Sequence, residues 1–215
     1  AANLKADITA DKDSQINFGG RHFIDSKDGK NVIGSGFSYQ QGVTSDELKD
    51  ESYKDSSYNG TITADGTKIT SKFFDFTPNL ELSNNASLNA KALTLTQSSV
   101  MKFTNSSAII DNLIFKGVSD LNKITLNSSK FEVKESFTFD NSTFDLSKLS
   151  NTKTGLTLPT EYNLYAFNNS KITTANFTNS NANAEFMLDN KSTFTATNAV
   201  SFKSAELTLK NGAQF

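Results

Sequence analysis

The clearest pattern in the chain is LYAFNNSKIT at residues 164–173, which returns as EFMLDNKSTF at 185–194 and as ELTLKNGAQF at 206–215. Each copy alternates apolar and polar residues and then enters a polar turn. Successive copies begin 21 positions apart. A fixed period of this length indicates a stacked-repeat architecture. The chain is therefore predicted to form a rod rather than a compact catalytic domain.

From about residue 61 onward, apolar and polar residues alternate with the period of two that is typical of strands. Three apolar columns recur in each repeat. The first contains Leu82, Phe103, Leu146, Phe167, Leu188 and Leu209, with Ile124 and Leu126 where the phase drifts; the second contains Ile69, Leu88, Ile109, Phe131, Ile172, Phe194 and Phe215; the third contains Phe73, Leu93, Ile114, Phe137, Leu158, Phe177 and Val200. Three short strands in about 21 residues make one coil of a parallel β-helix, in which like positions stack into inward ladders. The predicted fold is an all-β, right-handed parallel β-helix of roughly seven such coils, with an irregular N-terminal cap.

A turn rich in Asn and Ser separates the first two columns. It contains Asn84-Asn85-Ala86-Ser87, Asn105-Ser106-Ser107, Asn127-Ser128-Ser129, Asn169-Ser170-Lys171, Asn190-Lys191-Ser192 and Asn211-Gly212-Ala213. Asn and Gly tolerate positive φ, and Asn and Ser side chains bond nearby backbone groups. These turns are predicted to form stacked corners.

Two segments depart from the repeat. Residues 1–60 hold most of the glycine and much of the charge, and they are predicted to cap the rod, with Thr44 starting a possible short helix through a capping box. A cap is expected because an open sheet edge invites association. Residues 61–215 are predicted to be the β-helix, truncated at its C-terminal end. Within it, Lys148 to Pro159 interrupts the rhythm and is predicted to be an extruded loop.

Composition excludes several classes of function. The net charge is −2 and Arg21 is the only arginine, so nucleic-acid binding is not expected. The chain has no cysteine, which removes disulfides, thiolate chemistry and Cys-ligated metals. No apolar run is long enough to predict a membrane-spanning helix.

Catalytic apparatus is sparse in the sequence. His22 is the only histidine, and no nucleophile-elbow motif accompanies it. Asp120, Asp140 and Glu161 fall about one coil apart and could form an acidic stripe, although solvated outward carboxylates explain them better. Asp25 to Asn31 lacks the spacing of a calcium loop and is better explained as a hairpin turn. No catalytic, cofactor-binding or metal-binding residue is predicted, and no cofactor is expected.

The repeat resembles the β-helical passenger domains of bacterial autotransporters (type V secretion), such as pertactin-like and vacuolating-cytotoxin-like passengers. The residues that carry this resemblance are the apolar-x-apolar-x-Asn-Ser units such as Phe103 to Ser106, Phe139 to Ser142 and Phe167 to Ser170, over about residues 61–215. The resemblance implies secretion through the outer membrane, display as a surface rod and a membrane barrel in the full-length chain. Thr77-Pro78-Asn79-Leu80 only approximates the Asn-Pro-Asn motif of haemagglutinin-like two-partner-secreted exoproteins.

The expected function is that of a non-enzymatic, secreted or surface-displayed bacterial adhesin or virulence-type passenger, which mediates cell attachment or autoaggregation. The expected partners are a host-cell surface protein or glycan, or sister rods. Two alternatives stay open: a polysaccharide lyase or hydrolase, and the haemagglutinin-like exoprotein. Loops on a rigid scaffold commonly carry binding. The predicted binding loci are therefore Thr44 to Tyr58 and Lys148 to Pro159.

Overall fold

The computed structural model describes residues 3–19, 32–35, 56–149, 164–179, 182–202 and 205–215. Across these residues the chain is nearly all β, and neighbouring strands pair in parallel. The sheets stack into a β-solenoid of about six turns with roughly 22 residues in each. The described residues contain no α-helix. The prediction of an all-β parallel β-helix is confirmed, with fewer coils than predicted.

The strands range from two to eleven residues. They are β1 Asn3–Leu4, β2 Ile8–Ala10, β3 Gln15–Phe18, β4 Val32–Ser35, β5 Ser57–Tyr58, β6 Thr61–Asp65, β7 Lys68–Ser71, β8 Asp75–Phe76, β9 Asn79–Ser83, β10 Ser87–Thr96, β11 Met101–Thr104, β12 Ser107–Lys116, β13 Ile124–Asn127, β14 Lys130–Asp140, β15 Thr143–Asp145, β16 Leu164–Asn168, β17 Lys171–Asn179, β18 Ala184–Asp189, β19 Thr193–Phe202 and β20 Ala205–Leu209. A 3₁₀-helix follows β15 at Leu146–Leu149.

Parallel sheets run along the rod. The longest has nine strands in the order β20-β18-β16-β14-β12-β10-β7-β3-β4, and a second has five in the order β13-β11-β9-β6-β2. Two three-stranded sheets, β1-β5-β8 and β15-β17-β19, lie beside them in the described part of the chain. Strands adjacent in a sheet come from successive coils, so each sheet position repeats once per coil, about 4.8 Å further along the rod.

Inward-facing apolar side chains form ladders inside the rod. One ladder contains Leu95, Phe115, Phe139, Phe167 and Leu188, at matching register positions of successive strands in the nine-stranded sheet. All five are buried, and the rings of Phe139 and Phe167 stack with centroids 4.8 Å apart. Burying one such side chain stabilises the fold by about 1.5–3 kcal/mol, so the ladders are the main source of stability.

The strand register corrects the first predicted column. Leu82 and Phe103 lie in the five-stranded sheet, whereas Phe167 and Leu188 lie in the nine-stranded sheet. Leu146 belongs to neither, because it lies in the 3₁₀-helix. A period of 21 residues does not by itself assign a residue to one particular strand of its coil. Two coils between the two groups are longer than 21 residues, because Phe115 aligns with Phe139, 24 positions on, and Phe139 aligns with Phe167, 28 positions on. A constant step of 21 therefore passes from one sheet to the other.

The register also corrects two members of the other columns. Ala108, not Ile109, aligns with the second column, and Leu113, not Ile114, aligns with the third. Apolar residues are adjacent in this segment, so alternation alone permits either phase. Ala108 is the buried residue at this position, whereas Ile109 is half-buried.

Strand pairing extends to residue 3, on the N-terminal side of the predicted boundary at residue 60. Strands β1, β2 and β3 pair in register with β5, β6 and β7, and β4 pairs with the other edge of β3. Residues 20–31 and 36–55, which include most of the predicted cap, lie outside the described residues. The division into a cap and a rod stays a prediction.

Candidate functional site

The polar corners predicted from the sequence are present in the structure. Their backbone passes through positive φ, between 46° and 66°, at Asn84, Asn85, Asn105, Ser128, Asn141, Asn169, Asn190, Lys191 and Asn211. Asn occupies most of these positions because it adopts the left-handed region more readily than other non-glycine residues. At the corner after β13 the residue with positive φ is Ser128 and not Asn127. This exception is important for the surface described below.

At several corners the residue with positive φ is followed by a buried serine, which links one coil to the next. Ser170 Oγ donates to its own coil's Asn168 carbonyl at 2.9 Å and accepts the amide of Ser142 at 3.1 Å. In the same way, the Ser192 hydroxyl accepts a hydrogen bond from the Ser170 amide at 3.0 Å, and the Ser129 hydroxyl accepts one from the Ser106 amide. These serines are almost fully buried. Their hydroxyls satisfy backbone groups that the tight corner leaves unpaired.

On the outside of the corners, asparagine amides bond along the rod. Asn169 Nδ2 donates to Asn141 Oδ1 at 2.8 Å, and Asn211 Nδ2 donates to Asp189 Oδ1 at 2.6 Å. Asn84 Nδ2 donates to Asp65 Oδ1 at 2.9 Å. In these coils the polar groups of the corner are already paired with each other.

Beyond the pair of Asn84 and Asp65, the corner between the five-stranded and nine-stranded sheets differs, because its polar groups surround an open depression of about 430 Å³. The lining residues are Asn84, Asn85, Asn105, Ser106, Ser107, Ser128 and Lys130. In the part of the chain that the structure describes, the side chains of Asn85, Asn105, Ser107, Ser128 and Lys130 make no hydrogen bond or ion pair. A serine at 128 is too short to bond the Asn105 amide as Asn169 bonds Asn141. The depression therefore presents free amides and hydroxyls.

Among the described residues that line this depression, Lys130 is the only charged one. It lies on one outward-facing row with Lys68, Ser87 and Ser107, one residue from each of four successive strands. Glu132 follows two residues later in β14, opposite Ile109. Among the described lining residues there is no carboxylate, although Asn84 donates to the Asp65 carboxylate beside them, so Lys130 supplies the one charge of the described lining.

A second polar cluster spans three coils of the nine-stranded sheet, beside the register shift between β12 and β14. Lys91 Nζ lies 3.4 Å from Asp111 Oδ2 and 3.4 Å from Glu135 Oε1. Burial lowers the pKa of Lys91, but the carboxylates of Glu135 and Asp111 outweigh burial and hold this pKa above its usual value. The Asn112 amide bonds the Lys91 carbonyl at 2.9 Å. These groups satisfy one another and act as a clamp between coils.

The acidic stripe, which was the less favoured interpretation of these carboxylates, is not formed by the residues that the structure describes. Asp140 pairs in register with Lys116 and Asn168, and Asn168 Nδ2 donates to its carboxylate at 2.8 Å. Asp120 lies in the loop between β12 and β13, where its carboxylate accepts from Gln97 Nε2 at 3.0 Å. A step of one coil suggests Asp120 beside Asp140, whereas the strand register aligns Lys116 with Asp140. Glu161 lies outside the described residues.

Several predicted features also lie outside the described residues. They include His22, Asp25 to Asn31, Leu158, most of Thr44 to Tyr58, and most of Lys148 to Pro159. Among the described residues, no group of three or more His, Cys, Asp or Glu side chains is placed to hold a metal ion. No helix in the same residues is long and apolar enough to cross a membrane.

Comparisons with protein-family models, curated proteins and solved structures found no match to this chain. The class that the strand pairing defines is a parallel β-solenoid built from sequence repeats. The resemblance to autotransporter passengers therefore rests on the repeat itself and stays a prediction.

Proposed function

We propose that this chain is a non-enzymatic recognition rod, an adhesin-type passenger that is secreted or displayed on a bacterial surface and that attaches to host cells or to sister rods. The observation that supports the proposal is the corner depression. There a rigid stack of coils holds five polar side chains that the rod does not use for its own hydrogen bonds. Preorganised groups on a rigid scaffold bind with little loss of conformational freedom.

The scaffold around the depression is rigid for a physical reason. Asn85 N donates to the Asn105 carbonyl at 2.7 Å, and Asn105 N donates to the Asn127 carbonyl at 3.0 Å. Beneath them, Ser106 N donates to the buried Ser129 hydroxyl at 3.0 Å. The backbone that carries the free side chains is therefore bonded from coil to coil.

The polysaccharide-active enzyme is the alternative. Glycosidic chemistry usually uses two carboxylates that converge on one bond. Asp120 and Asp140 instead bond to separate neutral partners, Gln97 and Asn168. Turnover of an acidic or neutral polysaccharide by the purified chain, abolished by Asp140→Asn or Asp120→Asn, would overturn the proposal.

Attachment can be measured directly with the fluorescently labelled full chain on cultured host cells. The wild type is expected to bind saturably, and Asn105→Ala combined with Ser128→Ala is expected to weaken binding. Thr195→Ala, an exposed change on β19 outside the depression, is the control and should bind like the wild type. Absence of saturable binding to cells, together with a monomer in sedimentation at all concentrations tested, would contradict the proposal.

A further inference from the structure

We propose that the corner depression binds an acidic oligosaccharide, with Lys130 pairing with its carboxylate or sulfate group. The inference rests on the proposed recognition function and names the chemical class of the ligand. The neutral part of the site, Asn85, Asn105, Ser107 and Ser128, bonds the hydroxyl groups of the same ligand.

The chemistry of the lining selects a hydroxyl-rich ligand. Amide and hydroxyl side chains both donate and accept hydrogen bonds, which is what sugar hydroxyls require. The lining residues that the structure describes include no aromatic or large aliphatic side chain, so an apolar ligand would leave these groups unpaired at a substantial free-energy penalty. The volume of about 430 Å³ lies within the range of about 300–1,000 Å³ that is usual for small-molecule sites.

Charge selects an acidic member of that class. Lys91, in the clamp between coils, is neutralised by two carboxylates, whereas Lys130 has no ion-pair partner among the described residues. A charge-assisted bond from Lys130 to an anionic group is therefore available without breaking an existing pair.

The outward row extends the site along the rod. Ser87 and Ser107 lie between Lys68 and Lys130 on adjacent strands, so the Cα atoms of the two lysines are three strand spacings apart, about 14 Å. A chain of sugars that carries more than one anionic group can reach both lysines along this row. Lys68 is therefore a secondary contact, and Lys130, which lines the depression, is the primary one.

Lys171 provides a matched control for Lys130. Both lysines follow a positive-φ residue and a buried serine: Ser128-Ser129-Lys130 in one coil and Asn169-Ser170-Lys171 in another. Both are exposed and begin a strand. Lys171 does not line the depression. Lys130→Gln and Lys171→Gln therefore remove the same charge from the same local structure.

The test is calorimetric titration of the full chain with three tetrasaccharides: one sulfated, one built from uronic acids and one neutral. Lys130→Gln is expected to weaken the binding of an acidic ligand about tenfold, since a charge-assisted bond contributes roughly that factor, while Lys171→Gln binds like the wild type. Tight binding of the sulfated or of the uronic-acid ligand identifies which anionic group is used. Affinity for the acidic ligand is expected to fall with added salt.

Three results would overturn the inference: equal affinity for the neutral ligand, equal losses in both lysine variants, and no binding of any tetrasaccharide. Cell attachment separates these failures from failure of the proposed function. If the wild type attaches to cells and Lys130→Gln attaches equally well, the proposed oligosaccharide ligand is rejected and the proposed adhesin function is retained. If the chain binds the acidic oligosaccharide but does not attach to cells, the proposed ligand is retained and the proposed adhesin function is rejected.

Discussion

The substitution Ser170→Ala tests whether buried serine hydroxyls hold the coils together. Ser170 is fully buried, and its hydroxyl is the hydrogen-bond partner of the Ser142 amide. In the variant this amide is left without a partner, which costs about 1–3 kcal/mol. The Asn168 carbonyl loses one bond but still accepts from Asn141 N at 3.0 Å, so this part costs about 0.5–1.5 kcal/mol. The free energy of unfolding is expected to fall by about 2–4 kcal/mol.

Urea unfolding followed by far-ultraviolet circular dichroism measures this loss, and a fall in melting temperature of roughly 4–16 °C should accompany it. Ser87→Ala is the control, because the half-buried Ser87 side chain makes no hydrogen bond in the described part of the chain. A loss in Ser170→Ala no larger than in Ser87→Ala, within about 0.5 kcal/mol, would refute the role of the hydroxyl. Solenoids can unfold in stages, so the transition nearest Ser170 is the one to compare.

Other predictions concern single buried positions. Phe167→Asp buries an unpaired charge and should lower the free energy of unfolding by about 4 kcal/mol or more in the same urea assay; stability equal to wild type would show that the ladder is not the core. Gly60→Ala places a methyl group 2.4 Å from the Ala6 carbonyl oxygen and should lower the melting temperature, unlike an exposed Thr195→Ala control. Burial, helped by Asp7, raises the pKa of Tyr58 to about 12. Because an unfolded tyrosine ionises near pH 10, this contribution to stability is complete below about pH 10 and is lost as pH rises toward 12. The stability difference between wild type and Tyr58→Phe should therefore shrink over that range, and a constant difference would contradict the shift.

The sequence was sufficient for the fold class because two signals agree. Segments such as Phe137-Thr138-Phe139 have the period of strands, and the recurrence at 21 residues requires stacking of like units. The positive φ at Asn105, Asn169 and Asn190 was predictable as well, since the chemistry of Asn suits a corner. These features depend on local preference, which a sequence records directly.

The register was not predictable in the same way. Leu113 and Ile114 are adjacent apolar residues, so nothing local marks that Leu113, and not the expected Ile114, aligns with Phe137. The candidate site depends on this register. Only the pairing of Thr104 with Asn127 shows that Ser128, and not Asn127, occupies the position equivalent to Asn105.

The site and the stability of the rod thus both depend on the same stack of corners. One substitution is expected to add a hydrogen bond to the stack and to weaken ligand binding at the depression. In Ser128→Asn, the new amide would have the φ of 49° that Ser128 has now, close to the 46° of Asn169, and could bond Asn105 as Asn169 bonds Asn141. The stack would then be continuous and the depression partly filled. The variant is expected to unfold at a urea concentration equal to or above that of the wild type, since an exposed hydrogen bond adds about 0.5 kcal/mol, and to bind the acidic tetrasaccharide more weakly. Ser128→Ala removes the hydroxyl without adding an amide, and it should reduce affinity less. Unchanged affinity in Ser128→Asn would show that ligands bind elsewhere on the rod.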